Sequence, residues 1–153
     1  MNNSSTNHWG WIHICPVCSQ PTFIDIANEQ SPGARYGAEL QNLPEVGIKP
    51  LYDEARACFS AGAFTACVMV SRKILMNLAV RESAPEDKNF AFYVDYLATK
   101  GFVPPKGRPW VDKIRDKGNE ANHEIKEMQE QDAKDILHLV EMLLRFNFTL
   151  VTP

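Results

Sequence analysis

The sequence has no run of apolar residues that approaches the roughly 18 residues needed to cross a membrane. Residues 1–7 are polar and uncharged, so they lack the basic and apolar regions of a secretory signal peptide. These two absences predict a soluble cytoplasmic protein with no membrane partner. The sequence also has no internal repeat and no low-complexity tract, which excludes solenoid and fibrous classes.

Basic residues are outnumbered by acidic ones. The 153 residues include 16 Lys and Arg against 19 Asp and Glu, for a formal net charge of −3. A global basic field is absent, so bulk attraction to nucleic acid or to an anionic membrane is not expected, although local basic patches are compatible with this balance. Hydrophobic residues make up 44 % of the chain, which is enough for an ordinary globular core.

Complete catalytic signatures are absent as well. The sequence has no phosphate-binding glycine loop, no GxSxG and no HExxH. Its acidic clusters, Asp53–Glu54 and residues 127–132, fit solvated helix ends better than paired catalytic carboxylates. Any catalysis therefore has to come from a less specific arrangement of side chains.

Only four cysteines are present, and in a cytoplasmic chain they indicate free thiols or metal ligands rather than disulfides. Cys58 and Cys67 fall in helical patterns and are most simply small buried hydrophobic residues.

Cys15 and Cys18 form a CxxC, which is half of a zinc ribbon and supplies two of four tetrahedral ligands. His13 and His8 are the nearest candidates for the other two, and His13 shares a face with Cys15 if the segment is extended. The sequence predicts either a structural zinc bound by these four residues or a metal-free hairpin. A redox role is disfavoured because no βαβ pattern surrounds the CxxC.

Two kinds of pattern follow each other along the chain. Alternation over residues 9–26 predicts two short strands, at 11–14 and 22–26, with the CxxC at the turn. Glycines and prolines over residues 31–49 predict a linker. From residue 50 onward the apolar spacing is helical. The predicted organisation is a cysteine-knuckle hairpin over 1–30, a linker over 31–49 and a helical domain over 50–153.

The helical region predicts about five helices joined by short connections. The expected fold is mainly α, an antiparallel bundle with a small N-terminal β-hairpin cysteine knuckle. Asp87 and Asp132 are the predicted N-caps of the third and last helices, and Gly101 is the predicted residue just after the third helix. The helices are expected at 50–60, 64–82, 88–100, from 109, and at 132–147.

Two apolar surfaces exceed what one small core is expected to need. The second helix carries a second apolar face at Met69, Met76 and Val80, and the last helix has a wide apolar arc from Ile136 to Phe146. We therefore expect a two-fold homodimer that buries part of one of these surfaces.

Arg115, Asn119 and His123 are spaced four residues apart on the fourth helix, on a different face from the packing stripe that includes Ile114. Such a ridge suits an anionic group such as an RNA phosphate, with His123 as an acid–base group. A solvated polar face, or structural bonds to a neighbouring helix, is the alternative. On the second helix Lys73 and Arg81 extend this predicted nucleic-acid surface, or they too are simply solvated.

Three stretches of the helical region, in this order, resemble the bacterial family known as domain of unknown function 4145. They are Tyr52–Cys58 with Ser60–Ala63, Ser71–Leu75, and Ile114–His123. Leu43–Pro44 and the CxxC after Trp11 are similar to that family as well, so the resemblance covers about residues 9–147. The Arg, Gly-Asn and His series within Ile114–His123 is its most specific part.

That family is grouped with the HEPN superfamily (higher eukaryotes and prokaryotes nucleotide-binding). The resemblance implies a helical bundle that often dimerises, and RNA binding or metal-independent ribonuclease activity in bacterial defence. In the superfamily's ribonucleases an Arg and a His with four to six residues between them line the dimer cleft, which implies a catalytic role for Arg115, Asn119 and His123. Here seven residues separate Arg115 from His123, so the two lie about 12 Å apart along the helix axis. A non-enzymatic oligomerisation or adaptor module is the alternative function.

Overall fold

The structure is a computed structural model of the chain, and it describes residues 10–16, 19–31, 35–103, 109, 111, 112, 114–116 and 127–149. The described residues are mainly helical, with five helices, 56 % helix and a small three-stranded antiparallel sheet near the N-terminus. It divides into two compact units, Met1–Ala34 and Arg35–Pro153. Residues 35–48, which the sequence predicts as part of a linker, therefore belong to the helical unit.

The first unit contains the sheet, whose strands are β1 (Trp11–Ile14), β2 (Pro21–Ile24) and β3 (Gln30–Ser31), in the order β1-β2-β3. Ile12 pairs with Phe23 in the β1–β2 register. Both predicted strands are present, but β2 ends two residues early. The cause is Asp25, whose Oδ1 accepts hydrogen bonds from the backbone N–H groups of Ala27 and Glu29 and so turns the chain.

The second unit contains the helices. They are α1 (Lys49–Ser60), α2 (Phe64–Arg81), α3 (Phe90–Thr99), α4 (described at residues 109, 111, 112 and 114–116) and α5 (Glu130–Leu144), which continues into a π-helical turn, Arg145–Thr149. α2 contacts α1, α3 and α5. A central position agrees with the apolar residues on two sides of its sequence, and Ile74, Leu75 and Leu78 are almost completely buried.

Two helices begin differently from the sequence prediction. The N-cap of α3 is Asn89, not Asp87, because the Asn89 side chain accepts the backbone N–H of Phe92 at 2.9 Å while Asp87 has a φ of +60°. The N-cap of α5 is Gln129, and Asp132 lies three residues into the capping box and accepts the Gln129 N–H. In both cases the aspartate was the more typical cap, but a neighbouring amide side chain takes the position.

The wide apolar arc of α5 is almost entirely buried within the chain. Leu137, Leu139 and Val140 are each 1 % exposed or less, because α5 packs against both α2 and α1. Contacts within the chain therefore account for the width of the arc, and no second protein is needed to cover it. The exception is Phe146, which is 55 % exposed. In the part of the chain that the structure describes, no helix is both long and apolar enough to cross a membrane.

Candidate functional site

Arg115 lies on the outer side of α4. Ile114, which belongs to the predicted packing stripe, is 2 % exposed, and Val111, one turn before Arg115, is 1 % exposed although it was not part of that stripe. The Arg115 guanidinium is partly exposed and contacts three carboxylates: Nη1 lies 3.2 Å from Asp112 Oδ1 and 3.5 Å from Asp95 Oδ1, and Nε lies 3.4 Å from Asp116 Oδ1. Asp95 belongs to α3, so this cluster joins α3 to α4.

The three carboxylates change what Arg115 can do. Burial lowers the pKa of the guanidinium, but the charges of Asp112, Asp95 and Asp116 outweigh that effect and raise it, so the side chain stays protonated. An incoming phosphate would have to displace carboxylates from Arg115. Asn119 and His123, the other predicted members of this ridge, lie outside the described residues.

Lys73 and Arg81, the predicted nucleic-acid contacts on α2, are both exposed. Neither has a carboxylate within 4 Å among the residues that the structure describes. The Arg81 guanidinium lies 6.0 Å from the centre of the Phe148 ring, within range of a cation–π contact. Because these two side chains have no carboxylate contact within the described residues, they are available to a ligand, unlike Arg115.

The predicted metal ligands lie in the first unit. His13 is exposed on β1, Cys15 follows that strand and is half-buried, and Cys18 and His8 lie outside the described residues. The chain turns tightly after Cys15, since the Ser19 N–H donates to the Cys15 carbonyl at 2.9 Å. Within the described ranges no three His, Cys, Asp or Glu side chains are grouped as a metal site would require. Cys15 lies two residues after His13, just beyond the end of β1, a spacing that fits two ligands of one ion.

A buried polar network around Arg56 was not predicted. Arg56 of α1 is only 7 % exposed, and it donates hydrogen bonds to the carbonyls of Tyr36 (2.9 Å) and Gly37 (3.1 Å). Glu141 of α5 accepts the Ala38 N–H at 3.0 Å, and the Tyr52 hydroxyl donates to the Ala38 carbonyl at 2.8 Å. These bonds hold residues 36–38 against α1 and α5.

The sequence indicates this network only weakly. Tyr52 and Arg56 are one turn apart in the first of the three quoted stretches, but an arginine is usually exposed, so burial was not expected. Burial, followed by the negative charge of Glu141, raises the pKa of Tyr52. The hydroxyl therefore stays protonated and able to donate.

Arg72 is a second arginine whose position was not anticipated. It lies next to Lys73 in the sequence but is 5 % exposed, with its guanidinium 4.5 Å from the centre of the Phe90 ring. Burial lowers its pKa. The contact joins α2 to the start of α3, which is a structural role.

In the helical unit, the buried side chains of Arg56 and Arg72 contact residues 36–37 and the Phe90 ring, respectively. Residues 53–152 match the family described as "Domain of unknown function (DUF4145)", and the chain belongs to that family. The match confirms the family resemblance over most of the helical unit. No curated protein and no solved structure matches the chain.

Proposed function

We propose that this chain is a HEPN-like domain that binds RNA, with Lys73 and Arg81 of α2 as phosphate contacts. One observation carries the proposal: both cations are exposed and have no carboxylate partner among the described residues, whereas Arg115 is surrounded by three. Unpaired Lys and Arg side chains supply most of the affinity of proteins for nucleic-acid backbones. Arg81 lies eight positions after Lys73, so the two lie about 12 Å apart along α2.

Helix packing supports the HEPN-like assignment. α2 contacts α1, α3 and α5, as a central helix of a bundle would be expected to do. Ribonuclease activity at Arg115, Asn119 and His123 is the less supported part of the proposal, because the carboxylates already occupy Arg115. A role in bacterial defence would follow from RNA binding if the neighbouring genes encode restriction or antiviral functions.

Fluorescence anisotropy with a labelled single-stranded RNA tests the proposal at low and at physiological salt. We expect Lys73→Ala and Arg81→Ala each to weaken binding several-fold and to reduce the salt dependence by about one charge. Lys49→Ala is the matched control, since Lys49 is also a partly exposed lysine but lies 3.7 Å from Glu45 and 3.8 Å from Asp53. Equal losses in all three variants would mean that only net charge matters, and the proposed surface would be wrong.

Cleavage is measured on the same RNA with wild type, Arg115→Ala and His123→Ala. If the ridge is catalytic, both variants lose cleavage and keep RNA binding. Wild-type protein that binds RNA without cleaving it would reject the ribonuclease part and leave the binding part intact.

The adaptor function is the second candidate, and the sheet of the first unit favours it. Ile12, Ile14 and Phe23 share one face by register and are 72 %, 61 % and 46 % exposed. Exposed apolar groups on one face are typical of protein contacts. If this function is correct, the double variant Ile12→Thr, Phe23→Thr no longer binds the partner protein, and its RNA binding is unchanged.

We also propose a structural zinc bound by Cys15, Cys18, His13 and His8. Its support is the two-residue spacing of His13 and Cys15 at the end of β1 and the tight turn that follows Cys15. When bound, the ion would hold the hairpin closed. Elemental analysis of protein purified without chelators should find about one zinc per chain, lost in Cys15→Ser, and a metal-free wild type would refute the site.

A further inference from the structure

A cleft of about 700 Å³ lies in the helical unit beside the C-terminal half of α2. Part of its lining is apolar, contributed by Ile48, Met76 and Val80. Its volume falls in the range of about 300–1,000 Å³ that is typical of small-molecule sites. The cleft is separate from the cluster around Arg115, and Lys73 does not line it.

Two polar side chains in the cleft have hydrogen-bonding capacity left over. Tyr93 is 3 % exposed, and its hydroxyl accepts the Lys88 backbone N–H at 3.2 Å but donates no hydrogen bond within the described chain. Asn77 donates from Nδ2 to the Gly47 carbonyl at 3.1 Å, and its Oδ1 accepts nothing from the described residues. Because Tyr93 lines the cleft, a ligand or water that accepts a hydrogen bond from its hydroxyl would be stabilising.

The charged residues of the cleft are of both signs. Arg81 and Lys88 contribute two positive charges, and Glu86 and Asp87 contribute two negative ones. No ion pair within 4 Å joins either cation to either carboxylate in the described part of the chain. The charges are therefore not satisfied by one another, although they surround the same space.

We propose that this cleft binds a small zwitterionic molecule with an apolar body, of the chemistry of a short apolar peptide. The carboxylate of the ligand is paired with Arg81 and Lys88 and accepts the Tyr93 hydroxyl. Its ammonium group faces Glu86 and Asp87, and its apolar part lies on the side chains of Met76 and Val80. A ligand with only a negative charge would be repelled by Glu86 and Asp87. A ligand with only a positive charge would be repelled by Arg81 and Lys88. This inference goes beyond RNA binding and does not depend on it.

The dipeptide leucyl-leucine is the probe, added to the full-length ¹⁵N-labelled protein and followed by amide chemical shifts. We expect shifts at Met76, Asn77, Lys88 and Tyr93. N-acetyl-leucyl-leucine lacks the positive charge and leucyl-leucine amide lacks the negative one. Each should bind about ten-fold more weakly than leucyl-leucine, because one charge-assisted contact is lost.

Arg81 belongs both to the proposed RNA surface and to this cleft, so variants at other positions separate the two. Lys88→Gln and Glu86→Gln should each weaken dipeptide binding about ten-fold, and Lys73→Gln, outside the cleft, should leave it unchanged. Glu86→Gln should not weaken RNA binding, because it removes a negative charge. Equal affinity for the three peptides, or no shift of the lining amides at millimolar peptide, would overturn the proposal.

Discussion

At the scale of single residues, the ends of α1 and α2 use the same backbone motif with different residues. Gly62 and Ser83 each occupy the C′ position of a Schellman motif, directly after the C-cap residue, and have φ values of +72° and +71°. A left-handed backbone costs an L-residue about 1–2 kcal/mol and costs glycine almost nothing. The two positions should therefore respond in opposite directions.

We expect Gly62→Ala to lower the free energy of unfolding by about 1 kcal/mol, because no heavy atom lies within 4 Å of the new Cβ and only backbone strain is added. Ser83→Gly should raise it by up to about 1 kcal/mol, less the entropy that glycine adds to the unfolded chain. Urea titrations of both variants measure this. Destabilisation by Ser83→Gly would show that the Ser83 side chain has a role of its own.

Cys67 makes folding stability depend on pH. It is fully buried in α2, and burial raises the pKa of its thiol from 9.0 to about 11. The folded chain therefore holds this proton more tightly than the unfolded chain, so the stability is present below pH 9 and is lost as pH rises toward 11. A shift of this size corresponds to roughly 2–3 kcal/mol.

Cys67→Ala should therefore flatten the decline in the free energy of unfolding between pH 8.5 and pH 10, measured by urea titration at each pH. Cys58→Ala is the control, since that thiol is only half-buried and should contribute less. An unchanged slope in Cys67→Ala would assign the decline to other groups, of which Tyr52 is the nearest candidate because its pKa is also raised.

At the scale of elements, the start of α3 depends on one amide side chain. Asn89→Ala removes the acceptor of the Phe92 N–H and should cost about 1 kcal/mol of unfolding free energy. Hydrogen exchange at the Phe92 amide should accelerate in the same variant. Asn89→Asp keeps the acceptor and is the control; if it is as destabilising as Asn89→Ala, the cap is not the cause.

Also at this scale, the segment before α1 belongs to the helical unit because of buried contacts. Leu40 and Leu43 are each 6 % exposed, and the bonds from Arg56 and Glu141 hold residues 36–38. The glycines and prolines predicted the absence of helix here correctly. They did not indicate that the segment packs into the core, since turn-forming residues carry no information about what covers them.

At the scale of the whole molecule, the expected two-fold homodimer remains a prediction. Most of the α5 arc is buried within one chain, so the remaining large apolar groups of the helical unit on these two faces are Met69, at 44 % exposure, and Phe146, at 55 %. Light scattering after size exclusion should give about 35 kDa, twice the 17.3 kDa of one chain. Met69→Ser or Phe146→Ser should shift the dimer toward monomer, and a mass of 17.3 kDa for wild type at micromolar concentration would contradict the dimer.

Local sequence patterns predicted much of the secondary structure of this protein. The spacing of apolar residues predicted helices at α1, α2, α3 and α5, and glycine predicted the end of α3 at Gly101, whose φ is +85°. The same spacing correctly separated the buried Ile114 from the outward Arg115. These features depend on residues a few positions apart, so the sequence alone determines them.

Contacts between distant residues were decided only by the tertiary structure. Glu141 binds the backbone of Ala38, 103 residues away, and Asp95 of α3 reaches Arg115 of α4. Such contacts decide whether Arg56 is buried, whether carboxylates surround Arg115 and whether Arg81 borders a cleft. Sequence spacing states which residues share a face, but the charge and solvent exposure of that face depend on what the folded chain places against it.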